Sequence, residues 1–131
     1  LVLIGGMTWR NENAQQVEAL VKDCYQKGKV LGGICDASGF LATTGVLNEV
    51  GHTGNDLNDI KQWAGSAYRG EAGYISKQAV SDRNVITANG TAPLEFAKEI
   101  LLALNVASED KIMEWYNFHK LGVYTAPMPK M

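Results

Sequence analysis

The chain has 131 residues, 46% of them hydrophobic and 20% charged, which is ordinary for one soluble globular domain. Its 12 basic and 14 acidic side chains give a net charge of −2 without a basic cluster, so no nucleic-acid partner is indicated. No apolar run is long enough to span a bilayer, and the two cysteines form neither a disulfide framework nor a metal motif; we expect a cytoplasmic protein without membrane, metal or cofactor.

The first part of the chain predicts a parallel strand–helix–strand unit. Residues 1–4 form a continuous apolar run closed by two glycines, which is typical of a parallel strand buried on both faces. Apolar side chains at helical spacing predict a helix over about residues 13–27, and Gly28 ends it. Residues 29–34 are the second strand, so the unit is a βαβ crossover with parallel strands.

A cysteine stands where this second strand meets the next helix, predicted over about residues 37–44. In the nucleophile elbow of hydrolases, small residues two before and two after the nucleophile let the strand fold tightly onto the helix. Gly33 and Ala37 hold those places around Cys35. The helix N-terminus would also favour the thiolate. The alternative is that Cys35 is a small buried residue at a strand end.

The second part of the chain predicts a short helix, two strands and two longer helices. The short helix covers about residues 56–64, and the strands cover residues 74–80 and 84–88, joined by a turn at residues 81–83. Pro93 lies in the first turn of the next helix, Ser108 caps the last helix, and Gly122 ends it.

Three blocks of sequence resemble the DJ-1/PfpI family of the class I glutamine amidotransferase-like superfamily. They are the first strand with its two glycines, the elbow around Cys35, and the strand over residues 85–88 with the helix behind it. Residues 35–38 look most like a bacterial branch described as intracellular proteases or amidases. The resemblance covers nearly the whole chain, so residues 1–131 are expected to belong to one domain of this family. It implies an α/β fold, flavodoxin-like, in which helices sandwich a mostly parallel sheet and the site lies at the carboxyl ends of the strands.

The same resemblance implies that the chain corresponds to the C-terminal two-thirds of the family's domain. In the family, a strand, a helix and further strands precede the double-glycine strand, and a glutamate there hydrogen-bonds the cysteine. We therefore expect an N-terminal segment of the same domain as a partner, since the apolar run at residues 1–4 needs strand neighbours and helix cover. Relatives commonly dimerise, so a homodimer is expected.

The resemblance makes Cys35 the reactive nucleophile and places an oxyanion hole at the backbone N–H groups of Gly6 and Asp36. Asp36 departs from the peptidase branch, which often has histidine directly after the cysteine. A carboxylate there works against thiolate formation unless it points to solvent. His52, in the loop after the elbow helix, is the candidate base, although the family's own histidine position falls on Asn55.

Three functions remain open from the sequence. Cys35 could attack a carbonyl of a small-molecule or peptide substrate in a hydrolase, amidase or deglycase-like reaction. The protein could instead be a non-enzymatic oxidative-stress sensor or chaperone-like protein that uses oxidation of Cys35, or an interaction module that retains the cysteine passively. A base positioned on Cys35 favours the first, an exposed thiol beside a carboxylate without a base favours the second, and a buried thiol favours the third.

We predict that Cys35 reacts with an alkylating reagent much faster than Cys24. The elbow exposes Cys35 at a helix N-terminus, whereas Cys24 lies on the inner face of a helix. Native-state labelling with iodoacetamide, followed by peptide mass spectrometry, measures both rates. Equal rates would count against the elbow.

Overall fold

Four short strands form one sheet at the centre of the computed structural model, which describes residues 1–130. They are β1 (Val2–Leu3), β2 (Leu31–Ile34), β3 (Ala79–Asp82) and β4 (Val85–Ala88). Their order across the sheet is β1-β2-β4-β3. Strands β1, β2 and β4 run parallel, and β3 is antiparallel to β4. The expected α/β fold with a mostly parallel sheet, including the parallel crossover from β1 to β2, is confirmed.

Helices pack on both faces of this sheet. The α-helices are α1 (Glu18–Gln26), α2 (Asp36–Thr43), α3 (Leu57–Ala64), α4 (Pro93–Leu104) and α5 (Glu109–Leu121). Short 3-10 helices lie in the connections at Met7–Arg10, Glu12–Val17, Gly65–Ala67 and Glu71–Gly73. The helix predicted over residues 13–27 therefore begins as a 3-10 helix and becomes α-helical only at Glu18. None of the helices within residues 1–130 is long and apolar enough to cross a membrane.

The two faces of β2 belong to two hydrophobic clusters, because successive side chains of a strand point to opposite sides. Leu31 is buried in the cluster that α1, α2 and α3 cover, whereas Ile34 packs against the cluster of α4. The glycines between them allow both helical layers to approach closely. A Cβ on Gly32 would lie 2.7 Å from Cδ1 of Ile100 in α4, and one on Gly33 would lie 2.7 Å from Cδ1 of Leu41 in α2.

The hairpin of β3 and β4 has a tighter turn than predicted. The turn consists of Arg83 and Asn84, with φ angles of 49° and 64°, so Asp82 pairs directly with Val85. Positive φ at both central residues is the feature of a type I′ hairpin turn, in which asparagine is favoured. The prediction that residues 81–83 form the turn is therefore wrong, since residues 81 and 82 still pair within the sheet.

The strand predicted over residues 74–80 is also wrong for most of its length. Tyr74 makes only an isolated bridge to His52, and the backbone N–H of Ile75 donates to the His52 carbonyl at 2.8 Å. This segment therefore pairs with the loop after α2 and enters the sheet only at Ala79.

Strand β1 lies at one edge of the sheet. Leu3 is buried beneath α1 and α2, but Val2 is 44% exposed and Ile4 is 73% exposed. The sequence predicts a strand covered on both faces, and residues 1–130 cover it on one. Within these residues β2 is the only strand that pairs with it.

We predict that Gly33→Val destabilises the protein by about 1–3 kcal/mol, the usual cost of overpacking a core. An added side chain would meet Leu41 at 2.7 Å and the backbone carbonyl oxygen of Ala37 at 3.1 Å. Gly6→Ala is the matched control, because its extended backbone accepts any residue and its nearest atom would be 3.8 Å away. Urea unfolding of both variants measures the difference. Equal free energies of unfolding would show that β2 and α2 do not need this close approach.

Candidate active site

Cys35 occupies a sharp turn between β2 and α2. Its backbone has φ 60° and ψ −132°, a conformation that L residues rarely adopt. The turn is held on both sides: the Cys35 N–H donates to the Ala88 carbonyl of β4 at 3.0 Å. Its carbonyl accepts the N–H of Ser38 at 3.0 Å and the Ser38 hydroxyl at 2.6 Å. This strand–turn–helix geometry is the one that Gly33 and Ala37 predict, and the role of Cys35 as a nucleophile stays a prediction.

Two glycines leave room for the half-buried thiol. A Cβ on Gly90 would lie 3.0 Å from the Cys35 Sγ, and one on Gly5 would lie 3.1 Å from the Cys35 Cβ. The turns after β1 and β4 thus flank the elbow. The carboxyl ends of three parallel strands meet at Cys35, as expected for a site in an open α/β sheet.

Asn55 is the side chain that donates to the thiol. Its Nδ2 lies 3.4 Å from Sγ of Cys35, and its Oδ1 accepts the backbone N–H of Gly90 at 2.8 Å. A backbone N–H can only donate, so this contact fixes the amide oxygen toward Gly90 and the amide nitrogen toward Cys35. An amide does not take up a proton at neutral pH, so Asn55 stabilises the sulfur without serving as a base.

The two N–H groups expected to form the oxyanion hole remain available in the structure. Within residues 1–130, neither the Gly6 N–H nor the Asp36 N–H donates to another protein group. Asp36 is the first residue of α2, where a helical N–H lacks an intrahelical acceptor. Gly6 directly follows Gly5, which packs on Cys35. The oxyanion hole stays a prediction with both donors near the elbow.

The carboxylate of Asp36 is turned toward Arg10. Nε of Arg10 lies 2.8 Å from Oδ2 of Asp36, whose side chain is only 13% exposed. The same guanidinium binds Asp59, in the first turn of α3, through Nη2. Hydrogen bonds to the two carboxylates raise the pKa of Arg10, so it stays a cation at every relevant pH. The residue after Cys35 therefore has a positively charged partner.

His52 is fully buried and its ring is held by two hydrogen bonds. Nδ1 lies 2.7 Å from the Val50 carbonyl, which can only accept, so Nδ1 carries the proton. Nε2 then accepts the hydroxyl of Tyr68 at 2.6 Å. Burial lowers the pKa of His52 and raises that of Tyr68 to about 12.

The structure does not bring His52 and Cys35 together. Both ring nitrogens of His52 already have partners, and Asn55, three residues further along the same loop, is the group in contact with the thiol. No histidine within residues 1–130 hydrogen-bonds Cys35. His119 lies exposed on α5, where its Nδ1 contacts the Trp115 carbonyl at 2.9 Å.

A polar cavity of about 610 Å³ adjoins the site on the side of α4. Asn55 lines this cavity as well as contacting the thiol. Polar side chains of both charges also line this cavity, among them Gln78, Asn89, Glu95 and Lys98. No group of three or more His, Cys, Asp or Glu side chains in the described part of the chain could hold a metal ion.

The sequence pattern does not predict the contacts of Arg10, Asn55 and Asp59 at the site. Their hydrogen-bond partners at the site lie 19 to 49 residues away in the chain, and no local spacing predicts such contacts. The only sequence signal is that Asn55 stands at a position where relatives of the resembled family place a histidine.

The model for the DJ-1/PfpI family matches residues 1–103. Two Bacillus subtilis proteins, named uncharacterized proteases YoaZ and YdeA, are 41% and 39% identical over 120 and 127 residues. These matches cover 92% and 95% of this chain but only 57% and 61% of the relatives. The chain therefore spans less than two thirds of the length of these relatives.

Solved structures show the same relationship. A thiJ/pfpI family protein from Bacillus anthracis superposes with a TM-score of 0.84 at 39% identity, covering 91% of this chain and 57% of that one. A DJ-1 superfamily protein from Agrobacterium tumefaciens gives 0.75 at 40% identity, covering 90% and 65%. The arrangement of β1, β2, β4 and their helices is thus shared with these proteins.

We predict that the buried neutral His52 makes stability fall in mild acid. Unfolded chains take up a proton near the ordinary imidazole pKa of 6.5, whereas the folded site resists it, so stability is complete above that pH and declines below it. The slope approaches about 1.4 kcal/mol per pH unit. Urea unfolding from about pH 7 to pH 5 measures this slope.

His52→Gln should remove this part of the pH dependence while lowering stability at neutral pH. His119→Gln is the matched control, because that imidazole lies on the surface and its loss should leave the slope unchanged. A slope that is identical in the wild type and in His52→Gln would contradict the role of the buried ring.

Proposed function

The chain belongs to the DJ-1/PfpI family, and from that premise we propose that it is a cysteine-dependent hydrolase or amidase in which Cys35 attacks a carbonyl carbon. The observation that supports this most is the strained elbow, with φ 60° at Cys35 and an amide donor 3.4 Å from its sulfur. Strained backbone of this kind is typical of sites where geometry serves function. The relatives named as proteases agree with this reaction class.

The proposed reaction has two steps. The Cys35 thiolate attacks the carbonyl carbon, and the electron pair of the C=O bond moves to oxygen, where the N–H groups of Gly6 and Asp36 donate to it. The tetrahedral species collapses to a thioester as the leaving amine takes a proton from water. Water then attacks the thioester, and the carboxylic acid leaves with the thiol regenerated.

No base contacts Cys35 within residues 1–130, and Asn55 cannot accept the thiol proton. Because the thiolate is the form that attacks, that proton passes to solvent or to a group of the N-terminal segment that the family resemblance implies. The polar cavity that Asn55 also lines is the proposed place for the rest of the substrate.

A second candidate function is oxidant sensing, and one observation favours it. Cys35 is half-buried beside a carboxyl-bearing residue, and Asn55 is a donor without being a base. In this reaction the thiolate attacks hydrogen peroxide, giving sulfenic acid and water, and a second peroxide gives sulfinic acid. The Asn55 amide and the free N–H groups of Gly6 and Asp36 would stabilise the anionic oxygens.

We predict that Cys35→Ser abolishes hydrolysis of amide substrates, whereas Cys24→Ser retains it. Cys24 is the matched control because its thiol is buried and bonded to the Val30 carbonyl. A panel of fluorogenic peptides and simple amides measures turnover, and acid-quenched intact mass detects the thioester on Cys35. Turnover that survives in Cys35→Ser would contradict the proposed mechanism.

The same mass measurement distinguishes the oxidant sensor from the hydrolase. If no amide is hydrolysed but one equivalent of peroxide adds one oxygen atom to Cys35 and a second equivalent adds another, the sensor reaction is supported and the hydrolase is rejected. Asn55→Ala should slow either reaction about 10- to 100-fold, the value of a hydrogen bond to a charged sulfur.

A further inference from the structure

We propose that Arg10 is a positioning residue that keeps Cys35 reactive by neutralising Asp36 and holding its carboxylate away from the thiol. This inference rests on the reactive Cys35 of the proposed function, but not on which substrate is turned over. It assigns a role to a loop residue that does not itself contact the sulfur in the structure.

The need for such a partner follows from the position of Asp36. It directly follows Cys35, and Nδ2 of Asn55 lies 3.5 Å from its Oδ1 and 3.4 Å from the Cys35 Sγ. Carboxylate and sulfur therefore face the same amide group. An unpaired negative charge on a carboxylate that shares a hydrogen-bond donor with the sulfur disfavours a second negative charge on the sulfur.

Arg10 supplies the compensating charge with defined geometry. Its Nε lies 2.8 Å from Oδ2 of Asp36 and its Nη2 lies 3.3 Å from Oδ1, so both carboxylate oxygens bind the guanidinium fork. Bidentate pairs of this kind fix direction as well as charge. A carboxylate bound in this way is held on the side of the Met7–Arg10 turn.

The guanidinium is in turn held by α3. Asp59 binds Nη2, and the ring of Trp63 lies 4.3 Å from the guanidinium carbon, in the range of a cation–π contact. Asp59 is fixed at the start of α3, where its own N–H donates to Asp56 at 2.8 Å. Arg10 therefore links the turn after β1 to the first turns of both α2 and α3.

Charged side chains lie around the sulfur on three elements. The Met7–Arg10 turn contributes Arg10, α2 contributes Asp36, and α3 contributes Asp59, which acts through Arg10. Asn55 and Gly90, which contact the thiol, are uncharged, and the carboxylate of the neighbouring Asp56 accepts the N–H of Asp59. Loss of Arg10 would leave two carboxylates on this side of the thiol with no cation between them.

The test measures the rate of Cys35 alkylation by iodoacetamide as a function of pH. We expect Arg10→Gln to slow alkylation about 3- to 10-fold below the midpoint of the wild-type profile, since a nearby unpaired charge shifts that midpoint upward. At high pH, where every thiol is ionised, the variant and the wild type should converge. Lys22→Gln, which removes a lysine from a surface pair with Glu18, is the matched control and should have no effect.

A double-mutant cycle separates this role from a merely structural one. In an Asp36→Asn background, Arg10→Gln should cause much less slowing, because the carboxylate next to Cys35 is gone and Asp59 alone loses its cation. Equal slowing in both backgrounds, or slowing that persists at high pH, would overturn the proposal. If Arg10→Gln does not fold by circular dichroism, Arg10→Lys in both backgrounds runs the same cycle, since a single ammonium cannot hold both carboxylate oxygens.

The two proposals can fail separately. If no amide is turned over but Arg10→Gln still slows Cys35 alkylation below the midpoint of the pH profile, the hydrolase is rejected and the positioning role is supported. Wild-type Cys35 that alkylates no faster than Cys24 would reject the reactive thiol on which both depend.

Discussion

The strained backbone of Cys35 is the constraint on which the rest of the site depends. A non-glycine residue in this region of φ and ψ costs about 1–3 kcal/mol, so it persists only where surrounding contacts hold it. The Ala88 carbonyl on one side and Ser38 on the other provide those contacts. They require β4 to lie beside β2 and α2 to begin immediately after the turn. Gly33 allows this, because any side chain there would meet α2.

The loop after α2 delivers Asn55 to this elbow, and buried polar contacts fix the loop in place. The N–H of Thr53 donates to the Thr87 hydroxyl in β4 at 2.9 Å, and the N–H of Gly51 donates to Asp82 in β3 at 2.7 Å. His52 joins the loop to Tyr68 from within. His52 therefore stabilises the loop that carries Asn55. A buried polar network that is fully satisfied in this way holds one geometry.

Electrostatics at the site follow from three elements that are distant in sequence. The carboxylate beside Cys35 is paired with an arginine from the turn after β1, and that arginine contacts a carboxylate and an indole of α3. Their exposure is partial, so the contribution of the ion pairs to stability is small. In the role proposed for Arg10, these pairs control the charge next to Cys35 more than they contribute to stability. The turn, α2 and α3 therefore act as one unit around Cys35.

The sequence by itself determined the features that depend on local spacing. Glycines and apolar runs predicted the parallel crossover, the small residues around Cys35 predicted the elbow, and Ser108 and Gly122 bounded the last helix. The structure decided which long-range partners meet. Asn55 rather than His52 contacts the thiol, Arg10 pairs with Asp36, and residues 74–78 lie on a loop and not in the sheet. Such pairings are set by how elements pack in three dimensions, and side chains separated by tens of residues leave no periodic trace in the chain. Local pattern therefore predicted the elbow at Cys35, and tertiary packing selected the groups that surround it.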